Sequence, residues 1–162
     1  MSNYTAFEVV ITAIVVKDGK YLITQRSKDK KRFPEMWTVP GGHLEPADFL
    51  EFPKDTEHYW YNVLEQTLRR EVKEEVGIEI GDVEYVTSLA TVHTDGAPSL
   101  VISSMAEYVG GDIILQEGET QDFAWVSLEE AKGYNLVDGI YDGLVMADAK
   151  RKGIQKEWKR AY

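Results

Sequence analysis

The sequence predicts an α+β fold in which helices pack on a mixed β-sheet. Strand-like segments come first, a long helical pattern follows, and further strands and a last helix complete the chain. This order is typical of a sheet with helices packed on it. With 162 residues, of which 43% are hydrophobic and 28% charged, the chain has the length and composition of one globular domain, predicted over residues 1–162.

The first elements form a predicted β-hairpin. Residues 7–16, FEVVITAIVV, are rich in β-branched side chains and almost continuously apolar, as in a buried strand. An Asp-Gly turn leads to the partner strand at 21–26. After a basic loop, residues 37–45 are predicted to be a short strand with a Pro-Gly-Gly interruption. That interruption indicates a bulge or a close approach of the backbone to another group.

The longest helix is predicted over about 57–76. Large apolar side chains recur there every four residues, at Trp60, Leu64, Leu68, Val72 and Val76. Gly77 follows, at the position where the end of a helix favours glycine. The rest of the chain is predicted to form two strands around an Asp-Gly turn at 95–96, short strands at 110–115 and 122–127, a short helix at 128–134, and a helix over about 137–160 with a break near Gly153.

Charge and cysteine content exclude several classes of function. The formal net charge of −10 acts against binding a nucleic-acid polymer, but it suits divalent cations and a small phosphorylated ligand held through them. Without cysteine the chain has no disulfide, thiolate metal site or thiol nucleophile. No apolar segment approaches the length of a membrane span, and no signal peptide is recognisable. We therefore expect a cytoplasmic protein without a membrane partner.

Three glutamates lie close together near the end of the long helix, in the segment RREVKEEVG. Glu71, Glu74 and Glu75 are spaced i, i+3 and i+4, which places them on one face, next to the apolar positions. Their mutual repulsion would be relieved by a hard divalent cation such as Mg²⁺, which prefers carboxylate oxygens. The spacing alone is weak evidence for a metal site, because three glutamates within five residues occur on many solvated helices.

Two segments together resemble the Nudix box, G-x5-E-x7-R-E-U-x-E-E-x-G-U, in which U is a bulky apolar residue. The second half matches at every specified position: Arg70, Glu71, Val72, Glu74, Glu75, Gly77 and Ile78. The first half matches at Gly42 and at the residues that usually surround it: Trp37, Pro40, Gly41, Leu44 and Glu45. The resemblance extends from about residue 7 to 134 and implies an α/β/α sandwich around a mixed sheet.

The resemblance also implies an activity. Most Nudix proteins hydrolyse a pyrophosphate bond in a nucleoside diphosphate linked to another group, as in a nucleoside triphosphate or a nucleotide sugar. It implies Mg²⁺ as the cofactor, with Mn²⁺ as a substitute, held first by Glu74 and Glu75, then by Glu71, with a backbone carbonyl from Gly41. The ions would neutralise the phosphates and activate water for in-line attack.

Other roles follow from the same resemblance. Gly42, Arg70 and Gly77 are expected to be structural, with Arg70 orienting a glutamate through a bidentate pair. The catalytic base is either Glu75 or Glu119, which lies six residues before a tryptophan, where some relatives place this group. The sequence around Glu119 is equally typical of an ordinary acidic turn without a catalytic role.

Two further side chains are candidates for binding the substrate. Arg26 ends the second strand, where some relatives use an arginine to contact the nucleotide, and Asn135 could read the edge of a base. The predicted partner is a small nucleotide-type diphosphate. The alternative function is a Nudix domain that senses a nucleotide without hydrolysing it, whereas a diphosphate isomerase of this fold would need a cysteine that is absent here.

The motif is interrupted before the helix. Asp48 stands six residues after Gly42, where the box has its first glutamate, but 21 residues then separate it from Arg70 instead of seven. About fourteen residues, roughly 47–61, are therefore inserted. Counting back from Arg70 would place Asn62 in that position, and the identity of the first acid stays open among Asp48, Glu51 and Glu45.

The insert carries five aromatic residues: Phe49, Phe52, Tyr59, Trp60 and Tyr61. One hypothesis is a lid whose Trp60 stacks on the base of the substrate. The alternative is an extension of the helix that packs on its own domain or at a subunit contact of a possible homodimer.

Overall fold

The computed structural model describes residues 5–154 and 157–160. In this part of the chain, a mixed sheet is built from β1 (Glu8–Lys17), β2 (Lys20–Arg26), β3 (Trp37–Thr38), β4 (Gly41–His43), β5 (Glu79–Ile80), β6 (Glu84–Val92), β7 (Pro98–Gly110) and β8 (Thr120–Val126). The helices are α1 (Ala47–Leu50), α2 (Val63–Val76), α3 (Leu128–Ala131) and α4 (Ile140–Arg151).

Strand β1 lies at the centre of the sheet. One of its edges pairs with β7 in parallel, from Glu8 opposite Ser99 to Val16 opposite Glu107. Its other edge is shared by β4 near the beginning of the strand and by β2 near its end, both antiparallel. Strands β3 and β8 pair with β2, and strands β5 and β6 pair with β7. The sheet is therefore mixed, as predicted.

Helices cover both faces of the sheet, because alternate side chains of β1 point to opposite sides. One face packs with α2, in a cluster that includes Ile11, Ala13, Val15, Leu68, Val72 and Val76. The other face packs with α3 and α4, in a cluster that includes Ile14, Val16, Ala131, Leu144 and Ala147. This arrangement confirms the predicted α/β/α sandwich.

The start of the long helix was predicted too early. Helix α2 begins at Val63, six residues after the predicted start, so Trp60 lies outside it. Asn62 has a left-handed backbone, with φ of 54°, and cannot continue the helix toward the insert. The other end is as predicted, because Gly77 adopts φ of 80° and its N–H donates to the carbonyl oxygen of Lys73 at 3.0 Å.

Two other predicted elements also differ from the structure. Segment 110–115 is not a strand beyond Gly110, because its backbone runs along the end of α2, where the N–H of Ile114 donates to the carbonyl of Val76. The last helix spans Ile140–Arg151 rather than 137–160. The described residues after it are not helical, and residues 155–156 of the prediction lie outside the described ranges. No helix in those ranges is long and apolar enough to cross a membrane.

A polar cluster joins the beginnings of β1 and β7 to the basic loop. The carboxylate of Glu8 accepts hydrogen bonds from the guanidinium of Arg32 at 2.8 Å and from the hydroxyl of Ser99 at 2.8 Å. These hydrogen bonds lower the pKa of Glu8 from 4.5 to about 2. The folded state thus favours the charged carboxylate, and the stabilisation is complete above pH 4.5 and is lost as the pH falls toward 2.

We therefore expect Glu8→Gln to have a lower free energy of unfolding than the wild type near neutral pH, and the difference to become smaller as the pH falls. The free energy of unfolding, measured with urea, should differ most near neutral pH, and the difference should close as the pH falls to about 2. Glu117→Gln, at an exposed acid of a turn, is the control and should show no such trend. A gap that is independent of pH would contradict the prediction.

Candidate active site

The candidate site lies where the helix α2 crosses strand β4. Gly41 of β4 pairs with Thr12 of β1, and a Cβ atom at Gly41 would collide with the carbonyl oxygen of Ile11. Only glycine allows β4 to approach β1 this closely. The Pro-Gly-Gly interruption in the sequence therefore marks a close approach of two backbones, and the helix then places its glutamates over these glycines.

Glu75 is fixed by two donors. Its Oε2 atom accepts the backbone N–H of Gly41 at 2.9 Å, and its Oε1 atom accepts the hydroxyl of Thr120 at 2.8 Å. Burial raises the pKa of Glu75, and these two hydrogen bonds oppose the rise. Sequence reasoning missed Thr120, because no motif singles it out and only its position directly after Glu119 points to it.

Glu71 lies against Gly42. A Cβ atom at Gly42 would collide with the carboxylate of Glu71, so the absence of a side chain creates the space that this carboxylate fills. The Glu71 side chain is only 18% exposed and pairs with Arg70 through a contact of 2.8 Å. Burial raises its pKa, and the neighbouring guanidinium opposes the rise.

Arg70 links three carboxylates. Its Nη2 atom contacts Glu71, its Nη1 atom contacts Glu74 at 2.9 Å, and its Nε atom contacts Asp48 at 2.6 Å. The hydrogen bond to Asp48 contributes most to holding the pKa of Arg70 above its usual value. Glu74 is half exposed, so it is the most accessible acid of the predicted triad. The guanidinium therefore holds Glu71 and Glu74 side by side.

Asp48 is the acid that contacts Arg70 from the insert. Its side chain is 4% exposed, and it also accepts the backbone N–H of Glu45 at 2.8 Å. Burial alone would raise the pKa of Asp48, but the hydrogen bonds from Arg70 and Glu45 outweigh it and hold the pKa below the usual value. Of the three acids considered for this role, Asp48 has this contact, and the short helix α1 positions it.

Removing this buried acid should destabilise the fold. We expect Asp48→Ala to lower the free energy of unfolding by about 2 kcal/mol, because a buried, charge-assisted pair is lost while Arg70 keeps its two glutamates. Urea denaturation measures the change. Glu57→Ala, at an exposed acid of the same insert, should change the stability by less than about 0.5 kcal/mol. Equal losses in the two variants would contradict the assignment.

Arg26 and Glu119 are linked to Glu75 through Thr120, because Arg26 pairs with Thr120 across β2 and β8 and Glu119 directly precedes it. Burial lowers the pKa of Arg26, and the charges of Glu75 and Glu119 oppose this. The carboxylate of Glu119 pairs with Lys30 at 2.5 Å. Because Glu119 directly precedes Thr120, its loop is anchored to Glu75 even though its carboxylate is held by a lysine.

The structure does not bring Trp60 and Asn135 into contact with these glutamates. Trp60 donates its ring N–H to the carbonyl of Phe52 at 2.9 Å and packs against the ring of Phe49. Asn135 is exposed, and its carbonyl oxygen accepts the N–H of Trp37 in β3. Their predicted roles in substrate binding stay predictions.

The chemistry of the donors fits a hard divalent cation, although the described part of the chain holds no ready-made cluster of three acidic or histidine side chains for a metal. Glu71 and Glu75 offer carboxylate oxygens in a partly buried place, where burial opposes their charge. A cation at this place would favour the charged forms. Glu74, which is now turned to Arg70, would supply a further oxygen.

Comparison with known proteins identifies relatives. A family model described as the NUDIX domain matches residues 7–143. The NAD-capped RNA hydrolase NudC of Chromobacterium violaceum is 30% identical over 132 residues, which cover 82% of this chain and 43% of that protein. The nucleoside triphosphatase NudI of Escherichia coli O81 is 28% identical over 137 residues, covering 78% of this chain and 86% of NudI.

The fold has close counterparts among solved structures. The crystal structure of a MutT NUDIX hydrolase from Burkholderia pseudomallei aligns with a TM-score of 0.70 and 19% identity, covering 88% of this chain and 98% of that one. The chain spans less than half the length of the NudC proteins that it matches. Since the family model covers most of the chain and the interrupted box assembles around Arg70, the chain belongs to the NUDIX domain family.

Proposed function

We propose that this chain is a Mg²⁺-dependent pyrophosphohydrolase that acts on a nucleoside diphosphate linked to another group. The observation that carries the proposal is the placement of Glu71 and Glu75, two partly buried carboxylates, directly over the adjacent backbone of Gly41 and Gly42. Carboxylates that burial disfavours, in a chain of this family, are suited to hold a cation that in turn binds phosphate.

Each residue then has a defined task. Glu71, Glu74 and Glu75 would hold the metal, and a bound metal would supply positive charge for the phosphates and for the activation of water. Arg70 orients two of these acids. The third, Glu75, is oriented by the N–H of Gly41 and the hydroxyl of a threonine. The cofactor is Mg²⁺, and Mn²⁺ is expected to substitute because it prefers the same oxygen ligands.

The reaction requires a base. Water forms a bond to one phosphorus, the bridging P–O bond breaks, and the proton of the water passes to a carboxylate. Glu75 and Glu119 are the two candidates for this base. Glu119 is paired with Lys30 through its Oε2 atom, and a substrate phosphate that draws Lys30 away would release this carboxylate. Arg26, which pairs with Thr120 across β2 and β8, is suited to contact a phosphate.

The net charge of the chain favours a small nucleotide over an RNA polymer as the substrate. The named activities of the relatives concern a capped RNA and nucleoside triphosphates. A formal net charge of −10 repels an RNA polymer, whose binding usually relies on basic surfaces. A small nucleotide carries less charge and can bind through the metal. We therefore favour a small nucleotide diphosphate derivative over capped RNA.

A substrate panel tests the proposal. Nucleoside triphosphates, nucleotide sugars, ADP-ribose and dinucleotides are incubated with the protein and Mg²⁺ or Mn²⁺, and the products are separated by chromatography. We expect hydrolysis of at least one class and its loss on removal of the metal with a chelator. Tight calorimetric binding without turnover would overturn the proposal and indicate a nucleotide-sensing domain instead.

A further inference from the structure

The insert forms a cleft with the helix α2. The cleft has a volume of about 760 Å³ and lies between residues 45–55, the end of the insert and the face of α2 that carries Arg70. This volume falls in the range of sites that hold small molecules. Eight of the twelve residues that line the cleft belong to the insert, which an uninterrupted box lacks.

The cleft shares a wall with the candidate active site. Asp48 and Arg70 both line the cleft, and the same guanidinium contacts Glu71 and Glu74. The side chain of Arg70 therefore borders both the glutamates and the cleft, so a pyrophosphate at the glutamates would have the cleft on the other side of this guanidinium.

The aromatic wall of the cleft is held in place before any ligand binds. Trp60 lines the cleft, its ring N–H donates to the carbonyl of Phe52 at 2.9 Å, and its ring packs against Phe49 at 5.3 Å between centroids. The backbone N–H of Tyr61 donates to the carboxylate of Asp55 at 2.8 Å. These contacts fix an apolar surface, and fixed surfaces lower the cost of binding.

The charges that line the cleft are negative in balance, with the four carboxylates of Glu45, Asp48, Glu51 and Asp55 against two guanidinium groups. The side chains of Glu45 and Glu51 line it and make no hydrogen bond or ion pair with any residue that the structure describes. Of the two arginines, Arg70 holds three carboxylates, whereas Arg69 donates to the carbonyl of Ile80 and keeps its charge. The Nζ atom of Lys54 lies 5.2 Å from the centroid of the Trp60 ring. Carboxylates accept hydrogen bonds from hydroxyl groups and repel phosphates.

We propose that this cleft binds the group on the far side of the scissile pyrophosphate, and that this group is an uncharged, hydroxyl-bearing moiety such as a sugar. The inference rests on the proposed function, since it assumes a pyrophosphate at the glutamates. The aromatic wall covers the apolar face of the sugar, and Glu45 and Glu51 accept its hydroxyl groups. A further phosphate in the same place would be repelled by those two acids.

A reversal of charge within the cleft tests the inference. The ratio of kcat/KM for ADP-glucose to that for ATP is measured for the wild type, Glu51→Lys and Glu57→Lys, and again with UDP-glucose and UTP. Glu57 belongs to the insert and is exposed, but it does not line the cleft, so its variant makes the same change in net charge elsewhere. We expect Glu51→Lys to lower the ratio at least about tenfold and Glu57→Lys to leave it within about twofold.

A second variant tests the aromatic wall. We expect Trp60→Leu to raise the KM of the nucleotide sugar several-fold and to leave the KM of the triphosphate unchanged. The inference is overturned if the two lysine variants shift the ratio equally, if neither shifts it, or if the wild type favours the triphosphate. Turnover of no compound of the substrate panel would overturn the proposed function instead. Dissociation constants from calorimetric titration of the same compounds then still test the cleft.

Discussion

Replacing Glu75 by Gln is expected to lower kcat by about a hundredfold or more while the protein stays folded. Glutamine has the shape of glutamate and can still accept a hydrogen bond from Gly41 or Thr120, but it has no charge for a metal and cannot take up a proton. Turnover of the best substrate in the panel gives kcat, and urea denaturation shows whether the fold persists. Glu79→Gln, at an exposed acid just beyond the same helix, is the control and should keep its activity.

Glu74→Gln extends this test to the accessible member of the triad. We expect it to lower kcat as well, because the predicted metal loses a ligand. Because Glu74 is half exposed, its contact with Arg70 contributes little to stability, and we expect the fold to persist in this variant. Turnover near that of the wild type in both the Glu74 and the Glu75 variant would refute the proposed metal site.

Gly42→Ala is expected to impair the reaction without unfolding the protein. The added methyl group would occupy the place of the Glu71 carboxylate, which is the movable end of a side chain and can turn away. We expect kcat to fall by about tenfold to a hundredfold, because a misplaced metal ligand has effects of this size. The free energy of unfolding should change by less than about 1 kcal/mol.

Two other glycine-to-alanine variants separate this effect from the general cost of adding a methyl group. Gly41→Ala would press Cβ against the carbonyl of Ile11, which belongs to the central strand and cannot turn away, so we expect a loss of about 2 kcal/mol in stability. Gly110→Ala points into open space and should affect neither stability nor turnover. A Gly42 variant that unfolds as readily as the Gly41 variant would show that Gly42 serves the backbone rather than Glu71.

Local patterns predicted most of the fold. The continuous apolar character of β1 has a direct cause, because Ile11 and Ile14 belong to cores on opposite faces of the sheet. The four-residue period failed at Trp60, because an aromatic residue in a loop can fall into the phase of the following helix by chance. The left-handed backbone of Asn62, which starts α2 later, is a tertiary feature that spacing does not reveal.

The strand predicted at 110–115 failed for a related reason. Its β-prone residues satisfy their backbone groups on the end of α2, as Ile114 does with the carbonyl of Val76, rather than on another strand. Propensity describes the residue and not the partner, so it could not distinguish these two outcomes.

The candidate site was predictable where it depends on local spacing. The three glutamates lie within five residues of one helix, and the structure gathers two of them around Arg70. Thr120 and Asp48 reach the site from distant parts of the chain, Thr120 at the start of β8 and Asp48 from the insert. Their contacts depend on how the segments pack, which no motif within one segment encodes.

Asp48 belongs to the insert, so a change in the length of this loop can also remove the acid that pairs with Arg70. In an uninterrupted box, the first glutamate stands eight residues before the arginine. In this chain that position is Asn62, which carries no charge. A deletion of residues 48–61 would restore the spacing of the box but remove the acid together with the loop. A deletion of residues 49–62, which has the same length, would restore this spacing and leave Asp48 in the acid position, with seven residues between it and Arg70. The place of the cut therefore decides whether Arg70 keeps its third carboxylate, and an engineer who trims the loop should cut after Asp48.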